Sequence, residues 1–239
     1  MENKVEEIKK VQVATEAAMS AVISYLVSED FPTSERAHEI IDQVLSKYDC
    51  ESPEGHIVAS GHQSFAPHQT GSGPIATGVP TVIDIFPQSK ITGYWADMSR
   101  TICLGTADAK LQKMYDCVLG AQELAIAMLG PGVVAGDVHD AVQRHFVSNG
   151  YLTSGVGSEF TYLEGLVHST GHGLGKDIHQ APRIGFGSQE VLKVGDVVTI
   201  EPGLYYQNIG GIRIEDLLVI TESGCENLTK FSRQFSYNK

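Results

Sequence analysis

Two stretches of the chain plant acids at matching points. Residues 81–101, TVIDIFPQSKITGYWADMSRT, carry Asp84 and Asp97, thirteen apart. Residues 197–216, VVTIEPGLYYQNIGGIRIED, carry Glu201 and Glu215, fourteen apart. Each stretch opens with a β-rich apolar run ending in an acid. Each then crosses a glycine-containing loop and returns to a second acid. An arginine stands beside each second acid, Arg100 after Asp97 and Arg213 before Glu215, and reads as its partner. A charge on an apolar strand is costly unless something pairs with it. Four such acids, with a glycine-flanked His172 between the two stretches, are best explained by a metal that supplies the missing positive charge.

The elements that must position these residues are legible as periodicity. Residues 4–28 and 33–48 read as helices, the second capped by Thr33 or Ser34. In that helix Ala37, Ile40, Ile41, Val44 and Leu45 fall on one face. Helices are also expected at 107–129 and 136–148, separated by Gly130, Pro131 and Gly132. Short apolar runs at 57–60, 81–86, 165–168, 196–201 and 212–220 read as strands. The order is helix, helix, strand, hairpin, then the same again. GHIVASGHQSFAPHQ (55–69) parallels EGLVHSTGHGLGKDIHQ (164–180), with a glutamine after the later histidine of each. The expectation is an internal duplication, about 1–105 and 106–239. Two such halves would pack about a pseudo-two-fold axis and bring their acids to a central site.

Composition limits the alternatives. A chain of 239 residues with 42% hydrophobic and 19% charged residues is globular. It is long enough to bury roughly 70–75% of its unfolded surface. A formal net charge of -12 argues against nucleic acid or an anionic membrane as partner. Cys50, Cys103, Cys117 and Cys225 form no C-x-x-C pair, and scattered single cysteines suit a reducing cytoplasm. The opening MENKVEEIKKVQ lacks a signal-peptide core, and no run reaches the ~20 apolar residues of a membrane span.

The motifs VIDIF…GYWADMSRT, VHSTGHGLG…HQAP, TIEPGLYY and GIRIED together give a resemblance over residues 56–221. The chain resembles the methionine aminopeptidase, aminopeptidase P and prolidase family, closest to its Xaa-Pro branch. The resemblance implies the α+β pita-bread fold; the expectation is a single catalytic domain, 1–239, without the separate N-terminal domain that proline-specific members usually carry. It implies two divalent ions, Mn, Co or Fe, with Zn compatible, held by Asp84, Asp97, His172, Glu201 and Glu215. Asp97 and Glu215 would bridge the ions, which would activate a water for attack on a peptide. Glu201 would also take that water's proton.

By the same resemblance His68 contacts substrate near the scissile bond and His179 stabilises the tetrahedral intermediate. His168 matches a further active-site histidine of the proline-specific branch, and Arg213 would orient the bridging carboxylates from behind. Phe86 and Tyr205 are candidate walls for a proline ring, Tyr205 alternatively a hydrogen-bonding group near the metals or a packed tyrosine, and His62 is read as structural. Three departures stand out. Ile85, Phe86 and Pro87 follow the first acid where the family has small residues. The first hairpin is two residues longer than usual, and Gln180 follows His179 where many prolidases carry Glu. The expected activity is an exopeptidase on Xaa-Pro peptides, with a homodimer compatible. Methionine aminopeptidase is the alternative within the family. A non-catalytic pita-bread binding module and a metal-free creatinase-like hydrolase are alternatives of other kinds, and the intact ligand set disfavours both.

Overall fold

The computed structural model describes residues 2–154 and 164–239; residues 155–163, inside the expected second repeat, lie outside the description. Helices α1 (Glu2–Ser28) and α2 (Ser34–Ser46) come first. The Thr33 hydroxyl accepts from the Arg36 N–H and starts α2, whose Ala37, Ile41 and Leu45 are buried. Next come β1 (Cys50–Glu51), β2 (Ile57–Ser60), a 3₁₀ turn (Gly61–Phe65), β3 (Pro80–Ile85), β4 (Gln88–Ser89) and β5 (Met98–Leu104). Helices α3 (Ala109–Met128) and α4 (Ala135–Ser148) follow. The remainder is β6 (Gly171–Gly173), β7 (Gln180–Ile184), β8 (Val197–Ile200), β9 (Gly203–Tyr206), β10 (Gly210–Arg213), β11 (Asp216–Thr221), β12 (Gly224–Asn227) and β13 (Ser236–Tyr237).

Two main sheets form. One runs β2-β3-β5-β13 and the other β7-β6-β8-β11-β12. The cores β2-β3-β5 and β6-β8-β11 are each antiparallel, with the middle strand in the same place. Each follows a pair of helices. Ile8, Met19, Leu26, Ile41 and Leu45 pack with Ile83, Ile85 and Met98 in one core. Met114, Val118, Val142 and Phe146 pack with Val198, Ile200 and Leu218 in the other. Burying these apolar faces is what fixes each sheet against its helices.

Three expectations need correction. The stretch 165–168 is not a strand: it makes only isolated bridges, Gly165 to Tyr205 and Leu166 to Thr153. Gly165 has φ +89°, which takes the backbone out of the extended region. The run 212–220 is two strands, because the chain leaves β10 at Ile214 and the Glu215 N–H donates to the Ser99 carbonyl at 3.0 Å. Helix α1 is long and apolar enough to cross a membrane by length and composition. Half of that window is buried, and its Val11, Ala18, Val22 and Leu26 lie inside the protein core.

Arg100 joins the sheets, and not through Asp97 as its place in the sequence suggests. It is 1% exposed. Its Nη1 donates to the carbonyls of Ser99 (2.9 Å) and Glu215 (2.6 Å). Nη2 donates to Asp216 Oδ1 (2.9 Å) and the Phe231 carbonyl (3.0 Å), and Nε to the Ser232 carbonyl (2.9 Å). Arg233 and Asn227 complete the shell of Asp216. Removing one partner of a buried pair leaves the other charge uncompensated. Arg100→Leu should therefore lower unfolding free energy by about 3–5 kcal/mol in urea titrations, the range for breaking a buried pair.

Candidate metal centre

The five expected ligands reach one cavity of about 700 Å³ from both sheets. Asp84 is in β3, opposite Ser99 of β5 and Ile57 of β2. Asp97 directly precedes β5, Glu201 directly follows β8, and Glu215 sits in the break between β10 and β11. Three of the four acids thus lie where a ladder has just ended. The Glu201 N–H is still held, by the Thr170 carbonyl at 2.7 Å. His172 is the middle residue of β6. A Cβ on Gly171 would fall 2.0 Å from the Thr199 carbonyl oxygen, and one on Gly173 2.3 Å from that of Ala181. Only glycines let this strand seat between its neighbours with the imidazole facing the acids.

His172 Nε2 lies 3.5 Å from Glu201 Oε1 and 3.8 Å from Asp97 Oδ2. Ligand atoms of Asp97, His172 and Glu215 lie within 4.8 Å of one another. Burial, then His179, lowers the His172 pKa to about 4, so the ring is neutral. Its Nδ1 contacts the Gly173 carbonyl at 3.1 Å, which can only accept, so Nδ1 carries the proton and Nε2 offers its lone pair. Burial, then the neighbouring carboxylates, pushes Asp97 and Glu215 well above the usual range. Burial pushes Glu201 up to about 8. Asp84 Oδ1, Asp97 Oδ1 and Glu215 Oε1 are buried without a hydrogen-bond partner among the described residues. Unpartnered buried oxygens, mutual repulsion and one aimed imidazole fit a set of divalent-ion ligands. Oxygen-rich donors with one nitrogen fit Mn, Co or Fe, and also Zn.

The surrounding residues are arranged differently from expectation in places. Arg213 reaches Asp84 and not Glu215: Nη2 donates to Asp84 Oδ2 at 2.7 Å. Its Nε donates to Ser99 Oγ (2.8 Å), and Nη1 to Tyr205 Oη (2.7 Å) and the Pro67 carbonyl (3.2 Å). Tyr205 is fully buried behind the cavity and is no wall residue, whereas Phe86 does line the cavity. His168 lines the cavity too, but both its ring nitrogens are engaged. Nδ1 donates to the Ser169 carbonyl (2.7 Å) and Nε2 pairs with Tyr205 Oη (2.9 Å). Burial, then Arg213, lowers its pKa to about 3. The chain His168–Tyr205–Arg213–Asp84 is therefore one connected scaffold. His68 and His179 are exposed on the cavity walls, and the His179 ring is 4.5 Å from that of His172. His62 is exposed and outside the lining. Arg183 escaped the sequence reading: it lines the cavity, with Nε donating to Ser169 Oγ at 3.0 Å. A lone arginine on a strand has no spacing signal to reveal it.

The raised carboxylate pKa values make a stability statement. Between its ordinary 4.5 and about 8, Glu201 binds more proton in the folded than in the unfolded chain. Stability from this group is full below 4.5 and is lost as pH rises through about 8. Asp97 and Glu215 shift in the same direction. Chelator-treated protein should melt at progressively lower temperature across that window, and Mn²⁺ should restore the most at its upper end. A melting temperature flat across the window without metal would contradict the arrangement.

Residues 6–222 match the model of Metallopeptidase family M24. The chain is 36% identical over 234 residues to the Xaa-Pro dipeptidase of Pyrococcus furiosus, covering 96% of this chain and 63% of that protein. It is 34% identical over 233 residues to that of Pyrococcus horikoshii, covering 95% and 62%. It thus spans less than two thirds of the length of these relatives. Among solved structures, prolidase from Pyrococcus furiosus matches with a TM-score of 0.88 at 32% identity, over 98% of this chain and 65% of that one. X-Pro aminopeptidase from Thermotoga maritima matches at 0.86 and 29%, over 99% and 64%. The architecture is the α+β pita-bread fold, and the chain belongs to metallopeptidase family M24.

Proposed function

We propose that the chain forms the catalytic unit of a two-metal exopeptidase that hydrolyses the bond after the N-terminal residue of Xaa-Pro peptides. The observation that carries this reading is the meeting of Asp84, Asp97, His172, Glu201 and Glu215 at one cavity, in a chain similar to Xaa-Pro dipeptidases. We read 1–239 as one catalytic domain of two pseudo-repeats, about 1–105 and 106–239. Its setting is cytoplasmic, its partner a peptide, and a homodimer is compatible. When bound by the five ligands, divalent ions supply Lewis acidity to the scissile carbonyl and lower the pKa of water.

The remaining work falls to this chain's side chains. Glu201, beside His172, accepts the proton of the attacking water in the ionised form that bound cations would favour. His179, whose ring centre lies 4.5 Å from that of His172, donates an N–H to the developing oxyanion. His68 stands on the wall whose Pro67 carbonyl Arg213 holds, and contacts the substrate there. His168 acts through its bond to the Tyr205 hydroxyl, which fixes Arg213 and thereby Asp84. Phe86, Ile57 and Ile178 give the cavity apolar walls suited to a pyrrolidine ring. A prolyl nitrogen carries no hydrogen, so no acceptor is needed for it. Arg183 is a cation on the wall for the free carboxylate of a dipeptide.

A cleavage panel with Mn²⁺ or Co²⁺ on Xaa-Pro, Xaa-Pro-Yaa and Met-Ala-Yaa peptides tests this reading. Xaa-Pro substrates should be cleaved fastest. Faster cleavage of Met-Ala-Yaa would move the protein to the methionine aminopeptidase side. His179→Ala should lower kcat far more than it raises KM, by roughly 100-fold for a lost oxyanion donor. Arg183→Ala should raise KM for Xaa-Pro at least about tenfold, the worth of one charge-assisted bond, and leave Xaa-Pro-Yaa less affected.

A further inference from the structure

A buried amide on α3 stands behind two of the acids of the centre. Gln122 is wholly buried, on the helix face whose Val118, Ala121 and Ala125 pack in one core with Ile200 and Ile214. A primary amide in an apolar core is costly unless it is hydrogen-bonded. Gln122 Nε2 donates to the Ile200 carbonyl at 3.2 Å and to the Ile214 carbonyl at 3.1 Å. Carbonyls only accept, so the nitrogen must face them, and each takes one of its two hydrogens. Oε1 is left buried without a hydrogen-bond partner among the described residues. The two donor bonds alone therefore set how this side chain lies.

Ile200 directly precedes Glu201, and Ile214 directly precedes Glu215. A peptide unit is planar, so its carbonyl and its N–H turn together. In the unit entering Glu201, Gln122 holds the carbonyl and the Thr170 carbonyl holds the N–H at 2.7 Å. In the unit entering Glu215, Gln122 holds the carbonyl and the Ser99 carbonyl holds the N–H at 3.0 Å. Both peptide planes are thus pinned at both ends, and one nitrogen atom is common to the two.

We propose that Gln122 is a positioning residue for the metal centre, setting the separation of Glu201 and Glu215 through their backbones. The inference rests on the metal reading of the site given above. The two carboxylates repel each other when ionised. A shared tether behind them opposes their spreading in the metal-free protein, so less ordering remains to be done when a cation binds.

Calorimetric titration with Mn²⁺ and thermal melting of the chelator-treated protein together test the proposal. Gln122→Met keeps the side-chain length and suits the apolar core, but donates no hydrogen bond. It should weaken Mn²⁺ binding about tenfold or more, the lower end of the range for removing an outer partner of metal ligands. Gln122→Glu keeps the shape, offers at most one hydrogen, and should weaken binding as well. Val118→Ala, on the same helix face, should lower the melting temperature yet leave Mn²⁺ affinity unchanged. Unchanged affinity in both Gln122 variants overturns the proposal. An equal loss in Val118→Ala does so too, since affinity would then follow the packing of α3. Loss of the fold in both Gln122 variants also overturns it, because the amide would then be structural. A native chain that takes up no Mn²⁺ removes the metal reading along with this inference, whereas native uptake with unchanged variants removes this inference alone.

Discussion

Asp84, Asp97, Glu201 and Glu215 bring like charges to one cavity, and among the described residues only Asp84 has a guanidinium hydrogen-bonded to it. Repulsion of this kind in a low dielectric would scatter the acids if their backbones were free. The surrounding structure prevents it. Arg213, from the second half, holds the Asp84 side chain of the first. Arg100, from the first half, holds the Glu215 carbonyl and the Asp216 carboxylate of the second. The Glu215 N–H is meanwhile bound to Ser99, next to Arg100. Each half thus lends a cation to the other, and the two main sheets cannot separate without exposing the buried Arg100–Asp216 pair.

The same constraint explains where the strands stop. Inside a ladder, side chains alternate between faces and both backbone groups are committed to neighbours. Asp97, Glu201 and Glu215 sit just outside ladders, where the backbone can turn its side chain inward. His172 stays within β6, and the price is glycine on both sides. The scaffold from His168 to Asp84 then fixes geometry without competing for the cavity. Its tyrosine is fully buried, and its polar groups, Asp84 Oδ1 apart, have partners inside the protein.

Much of this was legible from residues alone. Helical periodicity located α2, α3 and α4 within a few positions, because their apolar faces are the cores themselves. Acids at the ends of apolar runs and the glycines around His172 located the centre. Partnerships across the sheets were not legible. Arg100 is three residues from Asp97 and Arg213 two from Glu215, yet each binds an acid on another strand. Sequence proximity misleads here because the chain breaks at Ile214 and Glu215, and strand register alone decides which side chains meet. The burial of Tyr205 and the presence of Arg183 on the cavity wall likewise depend on that register.

The Arg100 clamp has a consequence for biosynthesis. Besides Glu215 and Asp216, that guanidinium is bound by the carbonyls of Phe231 and Ser232, and β13 lies parallel along β5. Strands β2, β3 and β5, with Asp84 and Asp97, leave the ribosome long before these residues do. Until the 231–237 segment emerges and docks, Arg100 lacks two of its acceptors and Glu215 has an unfinished anchor. A chain that has emerged only as far as Glu215 therefore carries all five ligands without the full frame around them, and Arg100 gains its last acceptors only when 231–237 docks.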